Sequence, residues 1–195
     1  MNKIIAIVGM PGSGKTEAAE LLIKNCYSFI RLGQLTLDEV KKRGLQPGEA
    51  SERPIREEIR KKHGMAAFAT LNFPKIDSLL KKDNVVVDGL YSWEEYIAFK
   101  EKYGKNVVVL AISASPETRY KRLSGRKWDS KKDPNIKNRS YTKEEAYQRD
   151  NAQLENLHTG APIAMADFTI VNEGTKEELL ENIILILKDI KAGQN

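Results

Sequence analysis

Gly9-Met10-Pro11-Gly12-Ser13-Gly14-Lys15-Thr16 brings three glycines, a lysine and a hydroxyl together in one short stretch of a 195-residue chain. The spacing is Gly, four residues, then Gly-Lys-Thr, the P-loop pattern. Its chemistry is anion binding. Glycines let consecutive backbone N–H groups turn inward around a phosphate. A helix starting just after them points its positive end at the same anion. Lys15 then supplies a mobile positive charge for β- and γ-phosphates, and the Thr16 hydroxyl is a ligand for Mg²⁺. A chance match in a strand-to-helix turn is the alternative, and the flanking sequence argues against it. Ile4 to Val8 is an apolar run suited to a buried strand, and Glu17 to Lys24 is a good helix former.

A second candidate is Asp88, which ends the run Val85-Val86-Val87-Asp88 before Gly89. An acid at the C-terminal end of a buried strand has the form of a Walker B group, which holds Mg²⁺ directly or through water. The competing role is to end the strand or cap the next segment. Arginines form a third set. Arg53, Arg56 and Arg60 recur at helical spacing in SERPIREEIRKKHG, residues 51–64. They read either as a solvated helix face or as a clamp for a second phosphate. Arg119 and Arg122 precede a basic, breaker-rich segment, Gly125 to Tyr141, whose second residue is Arg126, and Arg149 comes after it. That segment reads as a surface loop of the length that often covers an active site, with disorder as the alternative.

These residues need a scaffold, and the pattern that supplies it is an alternation of apolar runs with helical stretches, the signature of a parallel sheet with crossover helices. Strands are expected at Ile4–Val8, Tyr27–Leu32, Val85–Asp88, Asn106–Ile112 and Ala166–Val171. Between them lie a helix after Thr16, one over Leu35–Arg43, and a charged helix after Pro54. A further helix spans about Ala66 to Lys82, kinked or divided by Pro74. Ser92 with Glu95 and Thr142 with Glu145 form capping-box patterns, and Ser115-Pro116-Glu117 is a third helix start. Thr175 with Glu178 opens a last helix whose Leu179, Leu180, Ile183, Ile184, Leu187 and Ile190 form an apolar stripe for the sheet.

Composition narrows the class. With 41% hydrophobic and 30% charged residues, the chain reads as one soluble domain over residues 1–195. A net charge of +5 suits an anionic ligand and argues only weakly for a nucleic-acid partner. The single cysteine, Cys26, excludes an intrachain disulfide framework and has no metal-ligand spacing. No apolar run approaches a membrane span, and the first run is too short for a signal peptide, so a cytoplasmic location is expected. His158 has no partner at catalytic or metal spacing.

The order of motifs GMPGSGKT (9–16), RLGQL (31–35), VVVDG (85–89), ASPETRYKRLSGR (114–126), QRD (148–150) and ADFTIVNEG (166–174) resembles the nucleoside-monophosphate-kinase-like group of P-loop proteins. Adenylate-kinase-related proteins of archaea and some bacteria are nearest in pattern, and dephospho-coenzyme A kinase is a more distant cousin. The resemblance implies a three-layer α/β P-loop fold, a five-stranded parallel sheet in the order 2-3-1-4-5, and helices on both faces. It also implies an acceptor-binding helical insertion at about 34–82 and a small lid at about 125–141.

By the same resemblance Arg122 stacks near the donor base, Arg126 contacts phosphate and Arg149 closes onto the transferring group. Asn172 to Thr175, with Gly174, lies against the donor adenine. Departures fall on the acceptor side. Gln34 stands where the group commonly has Asp, Leu37 near a usual arginine, and Leu90-Tyr91 where Phe-Pro-Arg or Ile-Arg is common. Arg31, Arg53 and Arg56 are the candidate replacements.

The expected function is an ATP- and Mg²⁺-dependent phosphotransferase acting on a nucleoside monophosphate or nucleotide-like small molecule, as a monomer or homodimer. Lys15, Asp88, Arg126 and Arg149 are the expected catalytic residues, with Thr16 and Asp88 on the metal. The alternatives are a nucleotide-binding regulator or slow ATPase acting on a protein or RNA partner, and a small-molecule kinase of the dephospho-coenzyme A, shikimate or gluconate type.

Overall fold

The computed structural model describes residues 2–126 and 140–192. Strand β1, Ile4–Val8, is buried along its whole length. Its five consecutive apolar residues suit a central parallel strand covered on both faces. Around it pair β2 (Ser28–Arg31), β3 (Val85–Asp88), β4 (Val107–Ser113) and β5 (Phe168–Val171), all parallel, in the order β2-β3-β1-β4-β5. This is the five-stranded order that the motif pattern implied.

Alternation along the strands divides the core in two. Ile4, Ala6 and Val8 of β1 face the same side as Val85, Val87, Val107, Val109 and Ala111. That side is covered by α4 (Ala67–Thr70), α5 (Phe73–Leu80) and α6 (Trp93–Tyr103), through Phe68, Ile76 and Phe99. Ile5 and Ile7 face the other side with Val86, Leu110 and Ile112, covered by α1 (Lys15–Lys24) and α10 (Lys176–Ala192). Each fully buried Ile, Leu or Phe contributes about 1.5–3 kcal/mol relative to exposure.

Helix starts match the capping patterns. The side chain of Ser92 accepts from the Glu95 N–H, and Ser115 and Thr142 do the same for α7 (Pro116–Ser124) and α8 (Lys143–Leu157). Thr175 and Glu178 exchange reciprocal bonds before α10. Pro74 sits in the first turn of α5, so the 66–82 segment is two helices with the proline where its missing N–H costs nothing.

Other boundaries differ from expectation. Helix α1 begins at Lys15, which puts Lys15 and Thr16 in its first turn. Helix α2 spans Gln34–Lys42. Helix α3, Glu49–His63, starts ahead of Pro54 and carries that proline inside it. On α10 the buried stripe is Leu179, Ile183, Leu187 and Ile190, whereas Ile184 is 41% exposed. Steps of three and four residues track the helix face, and Ile184 lies one residue toward solvent. A short helix that patterning missed, α9 (Gly160–Ala164), precedes β5.

In a parallel sheet all C-terminal strand ends lie on one edge, where such folds place their ligands. Along that edge stand the phosphate loop after β1, Arg31 at the end of β2, Asp88 at the end of β3, Ala114–Ser115 after β4 and Asn172 after β5. Helices α2 to α5 fill the chain between β2 and β3. The expected lid at about 125–141 falls largely on residues 127–139, outside the described residues. Among the described residues no helix is long and apolar enough to cross a membrane.

Candidate active site

The loop from Gly9 to Gly14 is shaped by close backbone approach. A Cβ on Gly9 would lie 2.2 Å from the Ile112 carbonyl oxygen of β4, and φ there is +147°. At Gly14, φ is +110° and a Cβ would meet the Asn172 amide at 2.5 Å. Only glycine fits either place. Two other elements hold the loop from outside. The Asn172 amide, buried, donates to the Ser13 carbonyl at 2.7 Å. The Arg119 guanidinium of α7 donates to the Pro11 carbonyl at 3.2 Å. The Lys15 ammonium spans the loop itself, donating to the carbonyls of Gly9 at 2.7 Å and Met10 at 3.1 Å. Within the cradle the Ser13 hydroxyl is fully buried and has no hydrogen-bond partner among the described residues.

Lys15 is also the electrostatic centre. Burial pulls its pKa from 10.5 down to about 8; Asp88 opposes this, while Arg149, Arg126 and Arg119 add to it. The structure therefore brings three expected site residues, Asp88, Arg126 and Arg149, within electrostatic reach of a fourth, Lys15. Arg126 is itself held below its ordinary value by burial, with Tyr141 opposing and Arg149 adding. Arg149 donates to the Tyr141 hydroxyl and stacks 5.1 Å from that ring's centre.

On the β2 and β3 ends, Arg31 and Asp88 are register partners, and Arg31 Nε lies 3.3 Å from Asp88 Oδ2. Tyr91 stands close by. Its backbone N–H donates to Glu95 at 2.8 Å, and a Cβ on Gly89 would lie 3.4 Å from the ring. Burial, with Asp88 nearby, pushes the Tyr91 phenol up to about 12; Arg149 and Arg31 oppose this. Glu95, fully buried, takes the Tyr91 and Ser92 amides on one oxygen while Arg60 stands 3.8 Å from the other. Burial lifts Glu95 to about 7.

On the β5 side, Arg122 donates to the Asn172 carbonyl at 2.9 Å and to the Gly174 carbonyl at 3.2 Å, fixing the 172–174 turn. A Cβ on Gly174 would overlap the Glu178 carboxylate that caps α10. Arg53 and Arg56 lie along α3 in ion pairs with Glu57 at 2.9 Å and Glu52 at 3.3 Å. Gln34 bonds Asp38 one turn on, at 2.9 Å, and Leu37 is half-buried. His158 caps α8 in a left-handed conformation and lines an apolar hollow of about 470 Å³ with Trp93, Ala161, Ala164 and Met165, a set that shares no residue with the phosphate loop.

Sequence reasoning missed two contributors. Arg119 and Asp150 form a buried ion pair at 2.6 Å, with the Tyr120 hydroxyl on Asp150 at 3.0 Å. A helix pattern marks such residues as charged; only the packing of α7 against α8 shows that they face each other.

The donor set fits a magnesium nucleotide. Thr16 in the first turn of α1 and Asp88 at the end of β3 are hard oxygen donors, and Mg²⁺ takes few protein ligands, leaving the rest to phosphates and water. Among the described residues no group of three or more His, Cys, Asp or Glu could hold a metal, so a dedicated protein cage is not the geometry on offer.

Comparison with known proteins gives the family and the fold. The family described as "AAA domain" matches residues 5–150. A UPF0200 protein of Pyrococcus abyssi is 34% identical over 189 residues, covering 96% of each chain. A "UPF0200/UPF0201 protein" of Archaeoglobus fulgidus is 34% identical over 194 residues, 99% of this chain, and the chain spans only 57% of that relative. Among solved structures, a gluconokinase from Sinorhizobium meliloti superposes with a TM-score of 0.58 at 14% identity, over 98% of this chain and 95% of that one, which shows a shared fold. The chain thus belongs to the UPF0200 family and has a kinase-like P-loop fold, with the AAA domain match running from β1 into α8.

Proposed function

We propose that this protein is a phosphotransferase that moves the γ-phosphoryl group of ATP to a small anionic acceptor. The observation that carries the reading is the convergence of Lys15, Asp88, Arg126 and Arg149 around one phosphate loop. Phosphoryl transfer depends on positioning and on neutralising charge spread over the equatorial oxygens, and it needs no covalent nucleophile. The loop amides and Lys15 would bind the β- and γ-phosphates. Arg126 and Arg149 would meet the charge on the transferring group from the other side, and Arg122 would keep the 172–174 turn against the donor base. Mg²⁺, held by Thr16 and Asp88, would neutralise phosphate charge when bound. The acceptor would enter beside Arg31. A location in the cytoplasm, where ATP is abundant, accords with this reading.

The test is an ATP-consumption screen over ribo- and deoxynucleoside monophosphates plus dephospho-coenzyme A. Acceptor-dependent ADP formation is expected, and Lys15→Ala is expected to reduce it about 10²–10³-fold, as for loss of one transition-state donor. Full activity of Lys15→Ala with every accepted substrate would rule the reading out.

One observation favours a second reading. The part of the Archaeoglobus relative that matches this chain is 57% of its length, under the double name "UPF0200/UPF0201 protein", and we take the remainder as a further unit joined to it. A nucleotide-binding regulator or slow ATPase with a macromolecular partner accounts for such a joining. In that case ATP turnover would rise when the further unit is supplied as a separate protein, and would not respond to any small acceptor.

A further inference from the structure

Helix α10 leaves two neighbouring apolar side chains in solvent at its midpoint. Ile184 is 41% and Leu185 56% exposed, halfway along the span Lys176–Ala192, while Leu179, Ile183, Leu187 and Ile190 hold the helix to the sheet. At about 100° per residue, Glu177, Glu181, Ile184, Leu185 and Lys188 fall within an arc of about 100° on the face turned away from the core. All five are exposed. A single exposed apolar residue is ordinary on a protein surface. An adjacent pair with ordered charge on either side is not.

The charges are arranged in a definite way. Glu181 lies three residues before Ile184, and Lys188 three residues after Leu185. The side chains of Glu181 and Lys188 have no ion-pair or hydrogen-bond partner among the described residues. Lys176, at the start of the same helix, is by contrast paired with Glu17 of α1. Read from either end, the outward face therefore runs charge, spacer, apolar pair, spacer, charge, and reversal exchanges the two signs. A surface with that property is complementary to a copy of itself running the other way.

We propose that the outward face of α10 is a docking surface for a second copy of this chain, with the two helices antiparallel about a two-fold axis beside Ile184 and Leu185. Ile184 packs against the partner's Leu185, and Glu181 meets the partner's Lys188. The two-fold axis makes each of these contacts twice. A parallel pairing would instead set Glu181 against Glu181 and Lys188 against Lys188, which like-charge repulsion disfavours. Helix α10 starts at the turn after β5, on the edge that carries the phosphate loop, and runs toward the opposite edge. Antiparallel pairing thus points the two clefts in opposite directions and leaves both open. A helix of this length offers a strip about 25 Å by 10 Å, well under the about 800 Å² that each partner gives to a standard interface. The dimer is accordingly weak and forms with rising concentration. None of this depends on which reaction the cleft performs.

The experiment is sedimentation velocity on the full chain from micromolar to sub-millimolar concentration, with circular dichroism to show that each variant keeps its helix content. The unaltered chain should pass from one copy to two as concentration rises. Leu185→Glu should leave it as a single copy throughout. Glu181→Lys and Lys188→Glu should each raise the dissociation constant about tenfold, since each replaces two attractive contacts with two repulsive ones. The double variant Glu181→Lys/Lys188→Glu should return to the unaltered constant, and so should an equal mixture of the two single variants. A chain that stays single at every concentration would overturn the proposal, whatever else the face binds. So would a dimer that survives Leu185→Glu. A dimer that Leu185→Glu breaks but the charge reversals leave unchanged would overturn the antiparallel pairing. The phosphotransferase reading stands or falls separately, on ATP consumption.

Discussion

Lys15 carries more of this site than its place in a motif suggests. Its ammonium is buried among three arginines, with Asp88 as the opposing charge, and its pKa is drawn down to about 8. The sign of the consequence is fixed. The protonated form binds anionic phosphates, so in the free protein binding strength is complete below that value and is lost as pH rises through it. The dissociation constant for ATP should be flat below about pH 7 and weaken above 8 by up to about tenfold per pH unit, with proton uptake on binding in that range. Isothermal titration in buffers of different ionisation enthalpy measures both effects. Lys15→Ala should abolish the pH dependence as well as weaken binding. That Lys15 is a phosphate ligand was legible from spacing alone. Its depressed pKa was not, because it depends on Arg119, Arg126 and Arg149, which come together only when α7 and α8 pack beside the loop.

At the scale of elements, the pair Arg119–Asp150 joins the helices on either side of residues 127–139 and hooks both to the phosphate loop through the Pro11 carbonyl. Removing one partner of a buried pair leaves an uncompensated charge, at a cost of about 3–5 kcal/mol. Arg119→Ala should therefore lower stability by that order in urea unfolding. Replacing both residues with apolar ones of similar size should restore most of it. The same substitution should weaken ATP binding, since the loop loses an outside brace. The helices were legible from Ser115-Pro116-Glu117 and the Thr142–Glu145 box, because capping is a local signal. Short α9 gave no such signal, since no side-chain cap opens it. On α10 the full apolar stripe overstated the buried face: Ile184 is apolar but points outward, and composition cannot tell a packed residue from its neighbour one step around the helix.

At the scale of the whole molecule, a parallel sheet with crossover helices was open to reading from the apolar runs, whereas the strand order and the helices on both faces came from the resemblance of the motifs to a known group. The donor half of the site was equally open, because a glycine-rich loop after a strand encodes its own geometry. The acceptor half was not, because Arg31 and Asp88 lie 57 positions apart and meet only through the register of β2 on β3. Arg53 and Arg56, chosen from helical spacing, engage Glu57 and Glu52 along α3, a choice of partner that spacing leaves undetermined.

The bond from the Asn172 amide to the Ser13 carbonyl crosses 159 positions of sequence and lies beyond the segment matched by the AAA domain. The anion cradle therefore has its final shape only when the turn after the last strand is in place. Asn172→Ala, which leaves the buried Ser13 carbonyl without that donor, should cost about 1–3 kcal/mol and weaken ATP binding together. Because the cradle draws on β1, β4, α7 and the turn after β5, a bound nucleotide should act as a thermodynamic tie across the chain. Hydrogen exchange should slow with added ATP in β5 and the start of α10 as well as in the loop that touches the phosphates, with the increment tracking ligand concentration by mass action.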